Sequence, residues 1–336
     1  MKAIKFFAIS AMAAAMITSC SSEDELSQSN YPSDNIIRVT AGVNNAKTRA
    51  DGAGTEMKNN FSLTIVNKNA PKYTYTDKVF SKKSGDWACS ETLLWQKSDA
   101  LVDIVAFAPA QTGKFNGVYA EGSIQPIAYS VAKDQTTADD KNDLLYYYAK
   151  DFKPGDKLVD KKLNIQFNHA FCMIDIVVTL GTEFNKPKVL DDSPIVKVTL
   201  DGTKIAANVD VKNAATGSTT TTAASVVTAS ETATPTTITT TKGTFTKAAN
   251  EEANAKSCFS CIAIPQTVGA NTFKVSLMTA GKRYEWTSAE PVELKSGYKY
   301  TLELSMGNDV VLLKGGSISA TPWTEAEISD NTLETE

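Results

Sequence analysis

The chain has 336 residues and a formal net charge of −4, from 34 lysines and arginines against 38 aspartates and glutamates, with five cysteines and one histidine. That length suits two ordinary domains. The acidic balance supplies no basic face for nucleic acid or for an anionic lipid surface, which excludes both as electrostatic partners.

Lys2 and Lys5 precede the apolar run FFAISAMAAAMI, the layout of an export signal, and the run is too short to span a bilayer. It ends on Ile17, Thr18, Ser19 and Cys20, a stretch that resembles the lipobox of bacterial lipoproteins. Residues 1–19 are therefore read as a signal peptide, and Cys20 as a lipidated first residue of the mature chain. A plain cleaved signal followed by a chance cysteine is the alternative. Each buried methylene of an acyl chain contributes roughly 0.8 kcal/mol, so several chains together hold a protein firmly on a membrane. Residues 20–35, with Ser21 and Ser22 ahead of Glu23, Asp24 and Glu25, read as a disordered tether. A serine-plus-acid stretch in this place also looks like the surface-export signal of Bacteroidales-type lipoproteins.

Strand periodicity dominates the chain beyond the tether. KNDLLYYYAKD suits a strand through its aromatics, or a turn or two of helix. LNIQF alternates Leu163, Ile165 and Phe167 with polar residues, and FCMIDIVVTL sets Cys172, Ile174, Ile176, Val178 and Leu180 on one face. Within 214–243 a Thr- and Ala-rich stretch favours strand by its threonines, and mobile loop by its low complexity. Further along, FKVSLMT and YKYTLELSM are again half-buried strands. Short strands separated by Gly, Pro, Asn and Asp clusters predict an all-β chain of antiparallel β-sandwiches. They fall into two groups, 36–167 and 168–336, joined near QFNHAF.

Residues that could carry chemistry are few. No Walker A run, G-x-G-x-x-G or H-E-x-x-H is present. A catalytic triad could use only His169, whose place between two apolar strands suits a packed, hydrogen-bonded ring. Cys258 and Cys261 form a C-x-x-C, but on a strand that spacing points the two sulfurs to opposite faces, and no second pair exists for a metal. Cys172 belongs to a core. Asp139/Asp140 and Asp191/Asp192 could in principle serve glycoside hydrolysis, but a chain this rich in loop acids holds such pairs by chance. DQTTADDKND gathers hard oxygens without EF-hand spacing. Trp87, Trp95, Trp286 and Trp323 are either core anchors or, if exposed together, a carbohydrate platform. No catalytic residue, metal site or cofactor is expected.

Several stretches resemble the fimbrillin family, the type V pilins of Bacteroidales-type bacteria: the lipobox, NNAKTRADG, NDLLYYYA, LNIQFNHAFCMIDIVVTL and the closing SGYKYTLELSMGNDVVLLKGGSISATPW. Together they span nearly the whole mature chain. The resemblance implies two transthyretin-like β-sandwich domains in tandem and an assembly route. Family precursors reach the surface as outer-membrane lipoproteins, where an Arg-specific protease cuts after an arginine behind the first strand. Here the cut would fall between Arg49 and Ala50. It would release the strand IIRVTAGV, whose Ile37, Val39, Ala41 and Val43 form one face. The vacated groove and its unpaired sheet edges would take a strand from the next subunit. In the family that donor comes from the C-terminal region, which here offers Val310, Leu312, Ile318 and Trp323. The implied partners are other pilus subunits, the protease and, before processing, the outer membrane.

Two other functions compete with this one. A non-polymerising, lipid-anchored protein would bind glycan or host protein through exposed aromatic loops. An anchored hydrolase would need paired carboxylates in a cleft near His169.

Overall fold

The computed structural model describes residues 30–44, 57, 59–110, 119–120, 123–137, 142–215, 226–313 and 318–323. Its regular structure is almost entirely strand. The α-helix among the described residues is a single turn, α1 (Pro154–Lys157), opened by a proline whose missing N–H costs nothing at that position. No helix among the described residues is long and apolar enough to cross a membrane.

Seven strands close into a barrel in the order β1 (Val39–Val43), β10 (Leu163–His169), β9 (Leu145–Phe152), β5 (Val102–Ala108), β2 (Phe61–Asn67), β3 (Tyr75–Lys83) and β4 (Asp86–Cys89), then back to β1. Alternating side chains fill the interior. Phe61 stacks on Phe80 at 5.2 Å and meets Trp87 and Phe167 edge-on at 5.0 and 5.5 Å, geometries that aromatic quadrupoles favour. Leu63, Ile104, Leu163 and Ile165 are fully buried around them.

A second core is built on β11 (Cys172–Leu180), which runs antiparallel to β17 (Lys256–Ala263) and parallel to β22 (Tyr298–Met306). Beyond β17 lies β16 (Thr241–Thr246); beyond β22 lie β23 (Val311–Leu313) and β24 (Ser319–Pro322). A second sheet, in the order β15 (Ile238–Thr239), β12 (Ile195–Asp201), β19 (Lys274–Thr279) and β20 (Arg283–Thr287), contributes to the same core. Three smaller groups complete the chain: β14 (Val227–Ala229) with β13 (Ala206–Val209) and β8 (Ile127–Ser130); β18 (Gln266–Val268) with β21 (Val292–Leu294); and the hairpin β6 (Tyr119–Ala120) with β7 (Ser123–Ile124). The expected alternation is seen along β11, where every second residue from Cys172 to Leu180 is buried.

The all-β class agrees with the sequence, and the structure adds detail to it. The first strand group closes into a barrel because β1 touches both β10 and β4. Two pairings are parallel, β1 with β10 and β11 with β22, and each joins strands far apart in the chain, as a parallel crossover requires. β5 is buried on both faces, with Ile104 and Ala106 in the barrel core and Val105 and Phe107 in the second core. One wall therefore serves both cores.

The stretch Ile127–Gln135, within the first strand group by sequence, joins the second core. β8 pairs with β13, and the Gln135 side chain bonds the Ile262 backbone at 2.8 and 2.9 Å. Ile127, Tyr129 and Val131 need an apolar cover that a closed barrel does not offer. The tether, expected to run to residue 35, is already packed at Tyr31 and Pro32, and Asn35 accepts a 2.8 Å bond from the Trp95 amide. Of the Thr- and Ala-rich stretch, Val227–Ala229, Ile238–Thr239 and Thr241 onward pair in sheets, and 216–225 lies outside the described residues.

Candidate functional site

β1 is a stave with unequal sides. Toward β10 it pairs in register from Val39 with Leu163 to Val43 with Phe167; toward β4 it makes the single pairing of Val39 with Trp87. Just before it, Ile37 donates to the Leu93 carbonyl at 2.9 Å. Ile37 and Val39 are buried, and Ala41 and Val43 pack half-buried against the same core, so the four share one face as their alternation implies. The opposite face is polar. Arg38 holds Asp34 through two bonds of 3.0 and 2.6 Å, which keep that carboxyl down at about 2, and Thr40 bonds Asn164 at 3.2 Å. Burying each of Ile37 and Val39 contributes roughly 1.5–3 kcal/mol. Cys20, Arg49 and Ala50 lie outside the described residues.

The C-terminal segment is folded onto its own β22. β23 pairs Leu313 with Leu304 and Val311 with Met306, and β24 pairs Ser319–Pro322 with Tyr298–Thr301. The four donor candidates divide into two pairs. Val310 and Leu312 are 49% and 60% exposed, whereas Ile318 packs against the second core and Trp323 is only 9% exposed. β24 exposes all four of its residues, so Ile318 before it and Trp323 after it are its anchors. The indole stacks on the His169 ring at 3.8 Å with 13° between planes, and the Trp323 amide donates to the Gly297 carbonyl at 2.6 Å. Gly297 has a positive φ of 70°, which a glycine adopts freely at this turn into β22.

His169 is packed and hydrogen-bonded, as expected, with Nδ1 2.9 Å from an Asp143 oxygen. It faces a small polar cavity of about 290 Å³ that Asn44, Asn168, Ser296 and Trp323 also line. Asn44 sits directly after β1 and donates through Nδ2 to Asn168 Oδ1 at 2.9 Å. The end of β1 and the end of the C-terminal segment thus meet around one histidine. Sequence reasoning named His169 and Trp323 separately; Asn44, Asp143 and Asn168 carry no motif that would have found them.

Elsewhere the chemistry is quiet. Cys258 and Cys261 lie on opposite faces of β17; burial pushes the Cys261 thiol up to about 12 and raises those of Cys172 and Cys258. Thiols so raised are poor nucleophiles. Among the described residues no three His, Cys, Asp or Glu side chains gather as a metal site. Asp191 bonds Lys247 and Lys188 and Asp192 bonds Lys242, so these two acids are surface ion pairs rather than a hydrolytic dyad. Asp139 and Asp140 lie outside the described residues. The tryptophans form no common platform: Trp87 and Trp95 belong to the barrel core, Trp323 to the His169 stack, and Trp286 to a separate groove. That groove, about 630 Å³, runs between β20–β21 and the C-terminal segment, with Pro291, Tyr298, Tyr300 and Ile318 in its walls.

A family model described as fimbrillin-like matches residues 48–323. No curated protein sequence matches the chain. Among solved structures, a candidate cell adhesion protein of Bacteroides ovatus superposes with a TM-score of 0.58 at 14% identity, covering 86% of this chain and 97% of its own. A second from Bacteroides uniformis gives 0.54 at 15%, covering 87% and 100%. A fimbrial protein of Bacteroides vulgatus gives 0.53 at 15%, covering 86% and 99%. At such identities the superpositions speak to the fold.

Proposed function

This chain belongs to the fimbrillin-like family, and from that membership we propose that it is a structural subunit of a cell-surface fimbria, assembled by strand exchange and supporting adhesion. The subunit leaves the cell as a lipoprotein anchored in the outer membrane through Cys20. An Arg-specific protease cuts between Arg49 and Ala50, and β1 departs with the lipid. The open slot along β10 then takes an extended strand from the segment between Val310 and Trp323 of the next subunit. Main-chain pairing supplies affinity, and alternate side chains supply register. Donor and slot are different surfaces, so the contact is heterologous and repeats into an open filament. The reading assigns the chain no catalytic role.

The observation that carries this reading is the one-sided hold on β1. Val39, with Ile37 just before it, fills the barrel core, yet beyond Val39 the pairings of β1 are with β10 alone. The polar C-terminal residues 324–336 lie outside the described residues.

The test uses the chain from Ser21 onward, treated briefly with an Arg-specific protease. A single new N-terminus at Ala50 by mass spectrometry, with oligomers growing in light scattering, is the expected result. An intact Arg49 in a folded protein would overturn it. The Trp286 groove favours a second reading, a surface protein that binds glycan without polymerising. In that case glycan-array binding would vanish in Trp286→Ala, and cleavage would yield a stable monomer.

A further inference from the structure

The fate of the C-terminal segment depends on what holds it to its own subunit. β24 is an edge strand of four residues whose side chains all face solvent, so no side chain of its own seats it in a core. Its attachments are backbone pairing to Tyr298–Thr301, long bonds from the Ser319 and Thr321 hydroxyls to the Thr301 and Lys299 carbonyls, Ile318 packed just before it and the buried Trp323 just after it. Trp323 in turn lies flat on His169, which is the last residue of β10 and is held by Asp143 from the side.

The same end of β10 is where β1 finishes. Asn44 donates its amide to the Phe167 carbonyl at 2.6 Å, and its side chain to Asn168 Oδ1 at 2.9 Å and the Gln166 carbonyl at 3.4 Å. On its other flank this end of β10 pairs with β9, Asn168 opposite Tyr146 and His169 opposite Leu145. Withdrawing β1 therefore strips one flank from the residues that position the imidazole. It also removes Asn44 from the wall of the cavity it shares with Trp323.

We propose that the Trp323–His169 stack is a latch that keeps the C-terminal segment on its own subunit, and that β1, acting through Asn44 on the end of β10, holds the latch closed. Loss of β1 opens the acceptor slot and loosens the donor of the same subunit in one event. An unprocessed subunit is thus blocked as acceptor and as donor alike. His169 and Asn44 are positioning residues in this scheme, and Trp323 is the group they position. The latch rests on the strand-exchange reading but is tested apart from it.

His169 is the only histidine in the chain, so its ring C–H resonances in an untagged protein are unambiguous. An indole stacked at 3.8 Å shifts them upfield. The experiment follows these resonances, and amide exchange along β24, in the full chain before cleavage and after removal of the β1 peptide. The result expected is loss of the upfield shift on β1 removal, with β24 amides exchanging at least about tenfold faster. In the uncut chain, Trp323→Ala should show both changes already, Trp323→Phe should keep β24 protected, and Asn44→Ala should move part of the way. An unchanged His169 environment and unchanged β24 protection after β1 leaves would overturn the coupling, as would an Asn44→Ala chain indistinguishable from the parent. Should β1 removal unfold the protein, the Asn44→Ala comparison decides alone. Oligomers that form while the latch stays closed would end this inference and spare the strand-exchange reading. A loosened latch without oligomers would do the reverse.

Discussion

β1 and β24 are both short strands, one closing the barrel and the other on a sheet edge, and they are held in opposite ways. β1 sends Val39 into the barrel core, with Ile37 just before it, and beyond Val39 it pairs with β10 alone. β24 buries nothing of its own and hangs on backbone pairing, with Ile318 packed just before it and Trp323 just after it. A strand held by core side chains leaves behind a hole that another strand must fill. A strand held by main chain and by one residue at either end leaves behind little, and can pair elsewhere at small cost. In the proposed strand exchange, the first region would serve as acceptor and the second as donor.

The comparison can be broken most forcefully in the barrel core. Phe61→Ala should cost about 3–5 kcal/mol, because Phe61 joins Phe80, Trp87 and Phe167 at the centre that β1 covers. Denaturant midpoints with an unchanged slope would measure it. Ile37→Ala should cost about 2 kcal/mol by the same assay and speed the loss of β1 after cleavage. Trp323→Ala should lower global stability by about 1.4 kcal/mol, the equivalent of tenfold faster β24 exchange, and by less than Ile37→Ala, since a strand that buries nothing of its own opens locally. If its global cost matched that of Ile37→Ala, the two regions would not differ as described. Leu312→Ala, at a 60% exposed position, should stay within about 0.5 kcal/mol in the monomer and show its effect in assembly. The smallest effect concerns Asp34, whose carboxyl Arg38 and the Ile36 amide hold at about 2. A depressed folded value contributes stability above the ordinary carboxylate range, and that contribution is lost as pH falls through about 2. Asp34→Asn should therefore flatten a small acid-side dependence of Tm, and the carboxyl titration by NMR should disappear.

Side-chain alternation made much of this legible in advance. The faces of β1, β10, β11 and β22 come from period-two burial, and the C-x-x-C split comes from the same geometry. His169 was readable as a packed ring because apolar strands flank it. What alternation does not encode is which strands become neighbours. The barrel closure through Val39 and Trp87, and the parallel pairing of β1 with β10, depend on the path of the whole chain. The transfer of Ile127–Gln135 to the second core has the same origin: an apolar face states that it needs a cover and not which one. Asn44 and Asn168 are ordinary loop and strand asparagines in sequence, and they gain meaning only when β1 ends beside β10. Trp323 looked like part of a donor strand, and its stack on a histidine far back in the chain is a tertiary fact.

If β1 must leave its place for assembly to proceed, tying β1 down should stop assembly. Thr40 and Asn164 are register partners on the exposed face of β1 and β10, with their side-chain oxygens 3.2 Å apart. Cysteines at both positions lie within disulfide range for adjacent strands. With that bond oxidised, the protein cleaved after Arg49 should remain monomeric in light scattering, and adding reductant should start oligomer growth. Equal growth in the oxidised and reduced states would contradict the claim.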